Sequence, residues 1–354
     1  MKKMKTYYIF TLGCQMNEND SERIAAVLDS CGLKPADEKK ADLIIVNACS
    51  VRQKPIDRIW GKIKVWKERK NPPKIYLTGC VLDSDRRKLE KRVDEIFEID
   101  DLASLPKLLN LTSPITKHLS PNIYFAVQPA RQNTKSAFVP IMTGCNNFCS
   151  YCVVPYTRGR EHSRPAEEIL CEIKKAIKQG YSKITLLGQN VNSYQSNSDN
   201  FVDLLKKIIA LPADFEIDFL SPHPKDFSSD LIVLIARSDK LSKQIHFPVQ
   251  SGDDQILRKM NRGYTASQYL KLISKLRSHI SNLTLSTDII VGFPGETKKA
   301  FQTTVNLVKK AKFNKAYIAM YSPRPGTAAY RLKDDVPRDE KKRRWKILEK
   351  LINQ

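Results

Sequence analysis

The stretch from residue 138 to residue 152 reads Phe138-Val-Pro-Ile-Met-Thr-Gly-Cys145-Asn-Asn-Phe-Cys149-Ser-Tyr-Cys152. It begins with an apolar segment typical of a buried strand and continues into three cysteines spaced C-x3-C-x2-C. Three thiols in one loop can bind three irons of a four-iron cluster and leave the fourth iron without a protein ligand. A closed zinc site would need a fourth Cys or His, and only His162 lies near in sequence. The spacing therefore favours an iron–sulfur cluster over a structural zinc.

From this segment onward, apolar strands alternate with amphipathic helices. About six strand–helix units fit a full or partial (β/α)6 barrel, in which the chemistry lies at the C-terminal ends of the strands. An open doubly wound sheet would produce the same alternation. The predicted strands are 138–142, 183–187, 216–220, 244–247, 283–291 and 315–321. The predicted helices are 166–179, 201–211, 228–237, 266–278 and 298–311, followed by a basic closing helix at 338–352.

The N-terminal part is predicted to form an α/β domain with a doubly wound parallel sheet, because apolar runs at 7–12, 43–46 and 75–77 alternate with helices. The first helix is predicted to begin with a capping box of Asn19 and Glu22 and to end before Gly32. Turn-forming residues dominate between residues 110 and 137. We therefore expect a domain at 1–115, a linker at 116–136 and a second domain at 137–354.

Three cysteines of the N-terminal part each follow an apolar run: Cys14, Cys49 and Cys80. If the three strands are parallel neighbours, the thiols meet at one edge of the sheet, where ligand crevices lie in such folds. A small residue precedes each cysteine and would let the backbone approach an inorganic cluster. The alternative is three buried structural cysteines. Cys31 is expected to pack in the core and Cys171 to be partly exposed, so neither is predicted to bind metal.

The composition indicates a partner and a location. The chain has 354 residues, with 60 Lys+Arg against 38 Asp+Glu, and a formal net charge of +22. Such an excess favours a polyanionic partner, most simply nucleic acid, although a basic surface without a specific partner is the alternative. We find neither a run of about 18 apolar residues that would span a membrane nor a signal peptide. A cytoplasmic location, where thiols are more often metal ligands than disulfides, is the expectation.

These motifs resemble the radical S-adenosylmethionine superfamily and, with the three-cysteine domain before them, its methylthiotransferase family. The similar stretches cover nearly the whole chain. The Gln-Met-Asn after Cys14 and the Val-Val-Pro-Tyr after Cys152 resemble the members that act on isopentenyl-adenosine in tRNA. Sister groups act on threonylcarbamoyl-adenosine in tRNA or on an aspartate of a ribosomal protein. The stretches are 11–22, 145–160, 187–194, 222–227, 248–252, 288–297 and 321–327.

The resemblance implies two [4Fe-4S] clusters and S-adenosyl-L-methionine as cofactors. One cluster would be bound by the C-terminal trio (Cys145, Cys149 and Cys152) and would cleave S-adenosylmethionine to a 5′-deoxyadenosyl radical. The auxiliary cluster would be bound by the N-terminal trio (Cys14, Cys49 and Cys80) and would carry a sulfur that a first S-adenosylmethionine methylates. The radical would remove hydrogen from C2 of N6-isopentenyladenosine next to the anticodon, and the methylthio group would be transferred there. The chain would thus be a sulfurtransferase of tRNA modification.

The resemblance also implies partners. Relatives usually carry a small C-terminal β-barrel, the TRAM domain, which binds tRNA, whereas this sequence stops at Gln354. The expectation is that the sequence lacks this domain, either because the domain was cut away or because this lineage does not have it. We expect tRNA and an electron donor such as flavodoxin or ferredoxin as partners, a monomeric chain and no membrane association. The rival from another class is a non-catalytic nucleic-acid-binding metalloprotein. Two sites that each lack a fourth ligand count against it.

Further site candidates are expected at the predicted strand ends. Tyr151 matches the aromatic residue that lies near the adenine in the family. The other cofactor-binding candidates are Gln189, Asn190, Gln250, Ser251 and Gly292. His223 and Tyr321 also follow strands. The alternative is that these residues cap helices or form hydrogen bonds with the backbone of loops.

Charged residues complete the set of candidates. Asp288 is predicted to be a buried carboxylate that requires a partner. The RNA-binding candidates are Arg158, Arg160 and Arg164, which flank the cysteine loop and would suit phosphate contacts. Exposure to solvent or pairing with Glu161 is the alternative for these arginines.

Overall fold

The computed structural model describes residues 4–51, 53–114, 123–131 and 136–354. The chain forms two compact units, the first made of residues 1–134 with 156–158 and the second of residues 135–155 with 159–354. Within the described ranges, no helix combines the length and the apolar character needed to cross a membrane.

The first unit contains a five-stranded parallel sheet in the order β2-β1-β3-β4-β5, as the doubly wound prediction required. Its central strand β3 is buried along its whole length, because Leu43 and Ile45 pack on one face of the sheet and Ile44 and Val46 on the other. The strands are β1 (Thr6–Thr11), β2 (Lys34–Pro35), β3 (Leu43–Cys49), β4 (Lys74–Cys80) and β5 (Glu95–Ile96). The helices are α1 (Gln15–Ser30), α2 (Gln53–Lys67), α3 (Asp83–Glu90), α4 (Ser104–Leu108) and α5 (Ile123–Ala126).

The predicted start of α1 is wrong. The helix begins at Gln15, with Cys14 as its N-cap residue, and Asn19 and Glu22 are buried inside it rather than capping it. The backbone N–H of Cys14 donates to Asn17 Oδ1 at 3.3 Å. The C-terminal end agrees with expectation, because Gly32 follows the helix with φ +83°, a conformation that glycine adopts without strain.

The second unit is a partial (β/α)6 barrel of six parallel strands that neighbour one another in chain order. Three strands pair as β6-β9-β12 and three as β13-β14-β15, and the bridge between Ile217 and Leu241 joins the two groups. The barrel strands are β6 (Ala137–Pro140), β9 (Lys183–Leu187), β12 (Glu216–Phe219), β13 (Gln244–His246), β14 (Thr284–Val291) and β15 (Lys315–Met320). Two short antiparallel pairs are β7 (Met142–Thr143) with β8 (His162–Ser163), and β10 (Gln195–Ser196) with β11 (Asp199–Asn200).

The helices of this unit cover the barrel strands, and its main core lies between the two layers. The longer helices are α7 (Ala166–Lys178), α8 (Phe201–Ile209), α9 (Ser229–Arg237), α11 (Ala266–His279), α12 (Lys298–Ala311) and α13 (Arg338–Ile352). The shorter ones are α6 (Val154–Thr157), which crosses the division between the units, and α10 (Asp254–Lys259). Three 3-10 helices are Val191–Ser193, Pro224–Asp226 and Ala328–Arg331. The predicted ends of the barrel strands and longer helices agree with the observed ends to within about two residues. The exception is the first predicted strand, which is divided into β6 and β7.

Candidate functional site

The N-terminal trio lies at the carboxyl edge of the parallel sheet. Cys49 and Cys80 are the last residues of β3 and β4 and are register partners, so their backbones are about 4.8 Å apart and their side chains leave the same face. Cys14 follows the neighbouring strand β1 and is exposed. The prediction that the three strands are parallel neighbours is confirmed. This arrangement brings the three thiols to the carboxyl edge of the sheet.

Two glycines allow the backbone to pack tightly beside this trio. A Cβ on Gly79, which has φ +99°, would lie 2.5 Å from the carbonyl oxygen of Ala48. A Cβ on Gly13, which has φ +150°, would lie 2.1 Å from Asn17 Oδ1. A side chain at either position would therefore displace a backbone segment or an asparagine that holds the site together.

A pair of buried asparagines, which the sequence analysis did not identify, fixes the start of α1 to β3. Asn17 Nδ2 donates to Asn47 Oδ1 at 3.1 Å, and Asn47 Nδ2 donates to the carbonyl oxygen of Asn17 at 2.8 Å. Both side chains are completely buried. This reciprocal pair positions Cys14 beside the end of β3.

Arg158 belongs to the N-terminal trio rather than to an RNA surface. Its Nε donates to Cys80 Sγ at 2.8 Å, and its Nη2 forms an ion pair with Asp20. The side chain is 3% exposed, so the phosphate contact predicted for it conflicts with the structure. Asp20 also accepts a hydrogen bond from the Tyr124 hydroxyl at 2.5 Å.

The electrostatics of the N-terminal trio differ between its two buried thiols. Burial, and then the neighbouring Cys80, raises the pKa of Cys49 to about 12. Burial also raises the pKa of Cys80, and the Arg158 guanidinium opposes this effect. Both thiols must release a proton when they bind a metal.

The C-terminal trio is held in a loop fastened by backbone contacts. The N–H of Cys145 donates to the carbonyl oxygen of Gly159 at 3.2 Å, and the N–H of Cys152 donates to that of Cys149 at 2.9 Å. Gly144 has φ +74°, and a Cβ there would lie 2.0 Å from the carbonyl oxygen of Arg160. Only glycine therefore fits directly before Cys145. Burial raises the pKa of Cys145 and, with the added effect of Cys149, raises that of Cys152 to about 12.

The trio opens into a cavity of about 180 Å³ at the carboxyl ends of the barrel strands. Three buried polar atoms of its lining have no hydrogen-bond partner among the described residues: Gln189 Oε1, His223 Nε2 and Gln250 Oε1. Buried polar atoms normally have a partner, so this lining fits a polar ligand such as S-adenosylmethionine beside a cluster. The other lining residues are Asn147, Tyr151, Val154, Ser221, Pro222, His246, Pro248, Arg262 and Asp288.

The backbone of Gln250 supports the assignment of this cavity as a functional site. The residue has φ +69°, which non-glycine residues adopt at a cost and which clusters at ligand sites. Its backbone is held there by a bridge to Ile289 in β14. The strained conformation therefore directs a polar side chain to the cavity.

His223 is a neutral hydrogen-bond donor in this cavity. Its Nδ1 accepts from the backbone N–H of Lys225 at 3.2 Å, so the proton of the neutral ring is on Nε2. Burial, followed by the charges of Arg262 and Lys225, lowers its pKa to about 2. The Nε2–H group is therefore available to an acceptor atom of a ligand.

Asp288 and His246 form a pair on the cavity wall. His246 Nε2 lies 3.0 Å from Asp288 Oδ2, and the Asp288 side chain is 36% exposed. The prediction of a fully buried Asp288 is therefore wrong, although the predicted need for a partner is met. The side chain faces the cavity because Asp288 lies on the inward-facing side of β14.

Arg262 is a residue of this site that the sequence analysis missed. Its Nη1 donates to Cys149 Sγ at 3.2 Å, and its Nη2 donates to the carbonyl oxygen of Pro248 at 3.0 Å. Its Nε donates to the hydroxyl of Tyr264 at 3.0 Å. Cys149 is 113 residues away from Arg262, so no local spacing could have indicated the contact with the C-terminal trio.

The structure brings some predicted cofactor-binding residues to the cavity and leaves others away from it. Tyr151, Gln189 and Gln250 line it. Asn190 instead donates to Asp226 at 2.8 Å, and Ser251 accepts from the N–H of Asp253 at 3.3 Å. Neither residue is in the lining of the cavity. Loop and cap interactions account for Ser251, whereas Asn190 keeps a buried Oδ1 that has no partner among the described residues.

Two further strand-end candidates serve packing instead of the cavity. The N–H of Gly292 donates to Glu296 at 2.6 Å, and a Cβ at Gly292 would lie 2.3 Å from Lys341 Cγ. Tyr321 is buried, and its hydroxyl donates to the carbonyl oxygen of Ala329 at 3.0 Å. Neither residue is in the lining of the cavity.

Of the two remaining RNA candidates, only Arg160 is exposed. Its guanidinium lies over the ring of Phe148, 4.4 Å from the centroid. Arg164 is 2% exposed and donates to Glu172 at 2.9 Å and to the carbonyl oxygen of Pro140 at 2.7 Å. A phosphate contact by Arg164 therefore conflicts with its place inside the unit.

Neither trio is arranged as a single-metal site. Within the described ranges, no three His, Cys, Asp or Glu side chains are grouped so as to hold one metal ion. A four-iron cluster instead gives each thiolate its own iron, so its ligands need not converge on one point.

His162 is exposed and its backbone pairs with Thr143. Cys31 is half-buried against the core and Cys171 is exposed, as predicted.

Comparison with known proteins identifies two families. Residues 139–308 match the radical SAM superfamily, and residues 6–99 match the uncharacterized protein family UPF0004. The chain is 43% identical to the tRNA-2-methylthio-N(6)-dimethylallyladenosine synthase of Clostridium botulinum strain Hall, over 98% of this chain and 81% of that protein. It is 42% identical to the protein of the same name from Carboxydothermus hydrogenoformans, over 99% of this chain and 83% of that protein.

Solved structures share the fold at low sequence identity. The radical S-adenosylmethionine methyltransferase TsrM from Kitasatospora setae, with cobalamin and a [4Fe-4S] cluster bound, superimposes with a TM-score of 0.62 at 12% identity. That match covers 93% of this chain and 74% of TsrM. The structural match shows the fold, and the sequence identities with the radical SAM match show that the chain belongs to the radical SAM superfamily and, within it, to the family of tRNA-2-methylthio-N(6)-dimethylallyladenosine synthases.

Proposed function

We propose that this chain transfers a methylthio group to C2 of N6-isopentenyladenosine next to the anticodon of tRNA. The observation that carries the proposal is the pair of three-cysteine sites, each at the carboxyl edge of a parallel sheet, in a chain 43% identical to synthases named for this product. The C2–H bond of an adenine is neither acidic nor electrophilic enough for polar chemistry at neutral pH. The reaction therefore needs a radical and a sulfur donor, and each trio serves one of these needs.

The residues of each trio fit the expected cofactors. Cys145, Cys149 and Cys152 would bind the radical cluster, and the N-terminal trio would bind the auxiliary cluster. When bound, the clusters supply a low-potential electron for cleavage of S-adenosylmethionine and the sulfur for transfer.

The side chains of the cavity bind and orient the cofactor. Gln189 and Gln250 each present an unpartnered amide oxygen, which accepts hydrogen bonds. The neutral His223 presents its Nε2–H, which donates one. Tyr151 supplies an aromatic ring held edge-on against Phe293, with ring centroids 6.5 Å apart. This mixed set suits a ligand that carries a carboxylate, an ammonium group and an adenine.

The proposal includes partners and a location. The substrate is tRNA, and the net charge of +22 favours such a polyanion. Reduction of the C-terminal site requires a one-electron donor such as flavodoxin or ferredoxin. The chain acts as a monomer in the cytoplasm, where tRNA is modified.

Nucleoside analysis tests the choice of substrate. The tRNA of a strain that lacks this gene is digested and analysed by mass spectrometry, and the analysis is repeated after the gene is restored. We expect 2-methylthio-N6-isopentenyladenosine to be absent and then to return. Loss of the methylthio group from threonylcarbamoyl-adenosine, or from a ribosomal-protein aspartate, would instead identify a sister activity. A chain that binds tRNA but changes neither nucleosides nor ribosomal protein would be a non-catalytic metalloprotein.

A further inference from the structure

Each cysteine trio has one buried arginine that donates an N–H group to one of its sulfurs. Arg158 Nε lies 2.8 Å from Cys80 Sγ in the first unit, and Arg262 Nη1 lies 3.2 Å from Cys149 Sγ in the second. The Arg158 side chain is 3% exposed and Arg262 is 4% exposed. A buried guanidinium is costly unless charge and hydrogen bonds compensate it, so each arginine must have a specific reason to be there.

The two arginines differ in how their charge is compensated. Arg158 is paired with Asp20, which also accepts from Tyr124. Arg262 donates to a carbonyl oxygen, to the hydroxyls of Tyr264 and Tyr151 and to a thiol, and none of the ion pairs found among the described residues includes it. An anionic, thiolate-bound cluster would supply the charge that Arg262 lacks. Arg158 would offer its cluster a directed hydrogen bond, and Arg262 would offer a hydrogen bond and a net positive charge.

We propose that Arg158 and Arg262 are positioning residues that donate a hydrogen bond to a cluster-ligating sulfur and raise the reduction potential of the cluster on their own trio. This inference rests on the proposed function, since it requires that both trios bind clusters. Hydrogen bonds to the sulfurs and the net local charge are among the factors that set cluster potentials. Both favour the reduced cluster, which carries one more negative charge.

Asp20 directs the hydrogen bond of Arg158. It pairs with Nη2 at one end of the guanidinium, which leaves Nε to face Cys80. A lysine at either position would keep a positive charge but lose the planar group that bonds two partners at once. Arg262→Lys should therefore keep part of the rise in reduction potential, whereas Arg158→Lys should keep little of it.

The test measures each cluster alone in the full-length chain. The background Cys145→Ala/Cys149→Ala/Cys152→Ala leaves only the auxiliary cluster, and Cys14→Ala/Cys49→Ala/Cys80→Ala leaves only the other. Iron is quantified, and the midpoint potential is determined by anaerobic titration followed by electron paramagnetic resonance. Arg158→Gln should lower the equilibrium constant for reduction of the auxiliary cluster about tenfold, which is about 59 mV for one electron. Arg262→Gln should lower the equilibrium constant for reduction of the cluster on the C-terminal trio by at least as large a factor.

Controls separate this role from a structural one. Arg164→Gln removes a guanidinium that is equally buried and paired with Glu172; it should lower stability and leave both potentials unchanged. Each Arg variant is also placed in the opposite background, where no shift is expected. If a Gln variant does not load iron, the corresponding Lys variant is measured, with the intermediate shift described above as the expected result.

The outcomes distinguish this inference from the proposed function. Loaded clusters with unchanged potentials in both Gln variants would overturn the inference and leave the function standing. Weaker binding of S-adenosylmethionine by Arg262→Gln at an unchanged potential would make Arg262 a cofactor ligand and overturn its proposed role. Parent trios that load no iron would overturn the proposed function itself.

Discussion

Cys49 and Cys80 are register partners at the carboxyl ends of two adjacent parallel strands. This register, and the position of Cys14 after the next strand, make the N-terminal trio a product of sheet topology. The C-terminal trio instead depends on a single loop. The two sites can therefore be impaired separately. Loss of the C-terminal site should stop cleavage of S-adenosylmethionine, and loss of the N-terminal site should stop only the methylthio transfer.

Cys145→Ala should abolish cleavage of S-adenosylmethionine, whereas Cys14→Ala should preserve cleavage and abolish methylthio transfer. The reason is that each variant removes a ligand from only one site. Release of 5′-deoxyadenosine with dithionite, together with an iron content that falls from about eight per chain toward about four, measures the effect. Cys171→Ala, at an exposed cysteine of neither trio, is the control and should match the parent. Equal loss of cleavage in Cys14→Ala and Cys145→Ala would contradict the division.

Gly144→Ala should prevent iron loading of the C-terminal trio. Its Cβ would lie 2.0 Å from the carbonyl oxygen of Arg160, so the loop must open. Gly159→Ala is a matched control, because Gly159 has a similar φ of +71° but nothing lies within 4 Å of its Cβ. Both variants bear a backbone cost of about 1–2 kcal/mol, and only Gly144→Ala should lose iron. Equal iron contents in the two variants would show that the close contact does not matter.

His223 should make the protein without metal more sensitive to acid. Burial lowers its pKa to about 2, whereas an unfolded histidine titrates near about 6.5. Between these values the unfolded state binds one more proton, so stability falls as the pH is lowered, by up to about 1.4 kcal/mol per unit. From pH 7 to pH 5 the parent should therefore lose about 2 kcal/mol more than His223→Gln in urea unfolding. Parallel pH profiles of the two proteins would mean that the imidazole titrates normally.

Arg160 is the one exposed member of the predicted phosphate contacts. Binding of tRNA should weaken linearly in a plot of log affinity against log salt, and Arg160→Gln should reduce that slope by about one. Arg164→Gln, at a buried residue, should leave the slope unchanged in protein that remains folded. An unchanged slope in Arg160→Gln would exclude Arg160 from the phosphate contacts.

The alternation of strands and helices did not by itself distinguish a barrel from an open sheet, but most of the individual strands could be predicted from their apolar runs. Strand β3 is an example, since its seven residues are all buried. The start of α1 could not be predicted, because Asn19 and Asp20 have the composition of an exposed first turn yet are buried by tertiary contacts.

The roles of the arginines depended on distant partners. Arg158 meets Asp20, which is 138 residues away, and Arg262 meets Cys149, which is 113 residues away. A local pattern of basic residues cannot distinguish these buried arginines from the exposed Arg160. The spacing of the C-terminal trio was more informative, because a cluster requires several ligands at once and this trio supplies three from one short segment.

The most direct measurement uses prenylated tRNA that lacks the methylthio group. The tRNA is incubated anaerobically with the iron-loaded chain, S-adenosylmethionine and dithionite, and its nucleosides are then analysed by mass spectrometry. We expect 2-methylthio-N6-isopentenyladenosine to form together with 5′-deoxyadenosine. Formation of 5′-deoxyadenosine without any methylthio nucleoside, from a chain that carries about eight irons, would contradict the assignment of isopentenyl-adenosine as the substrate.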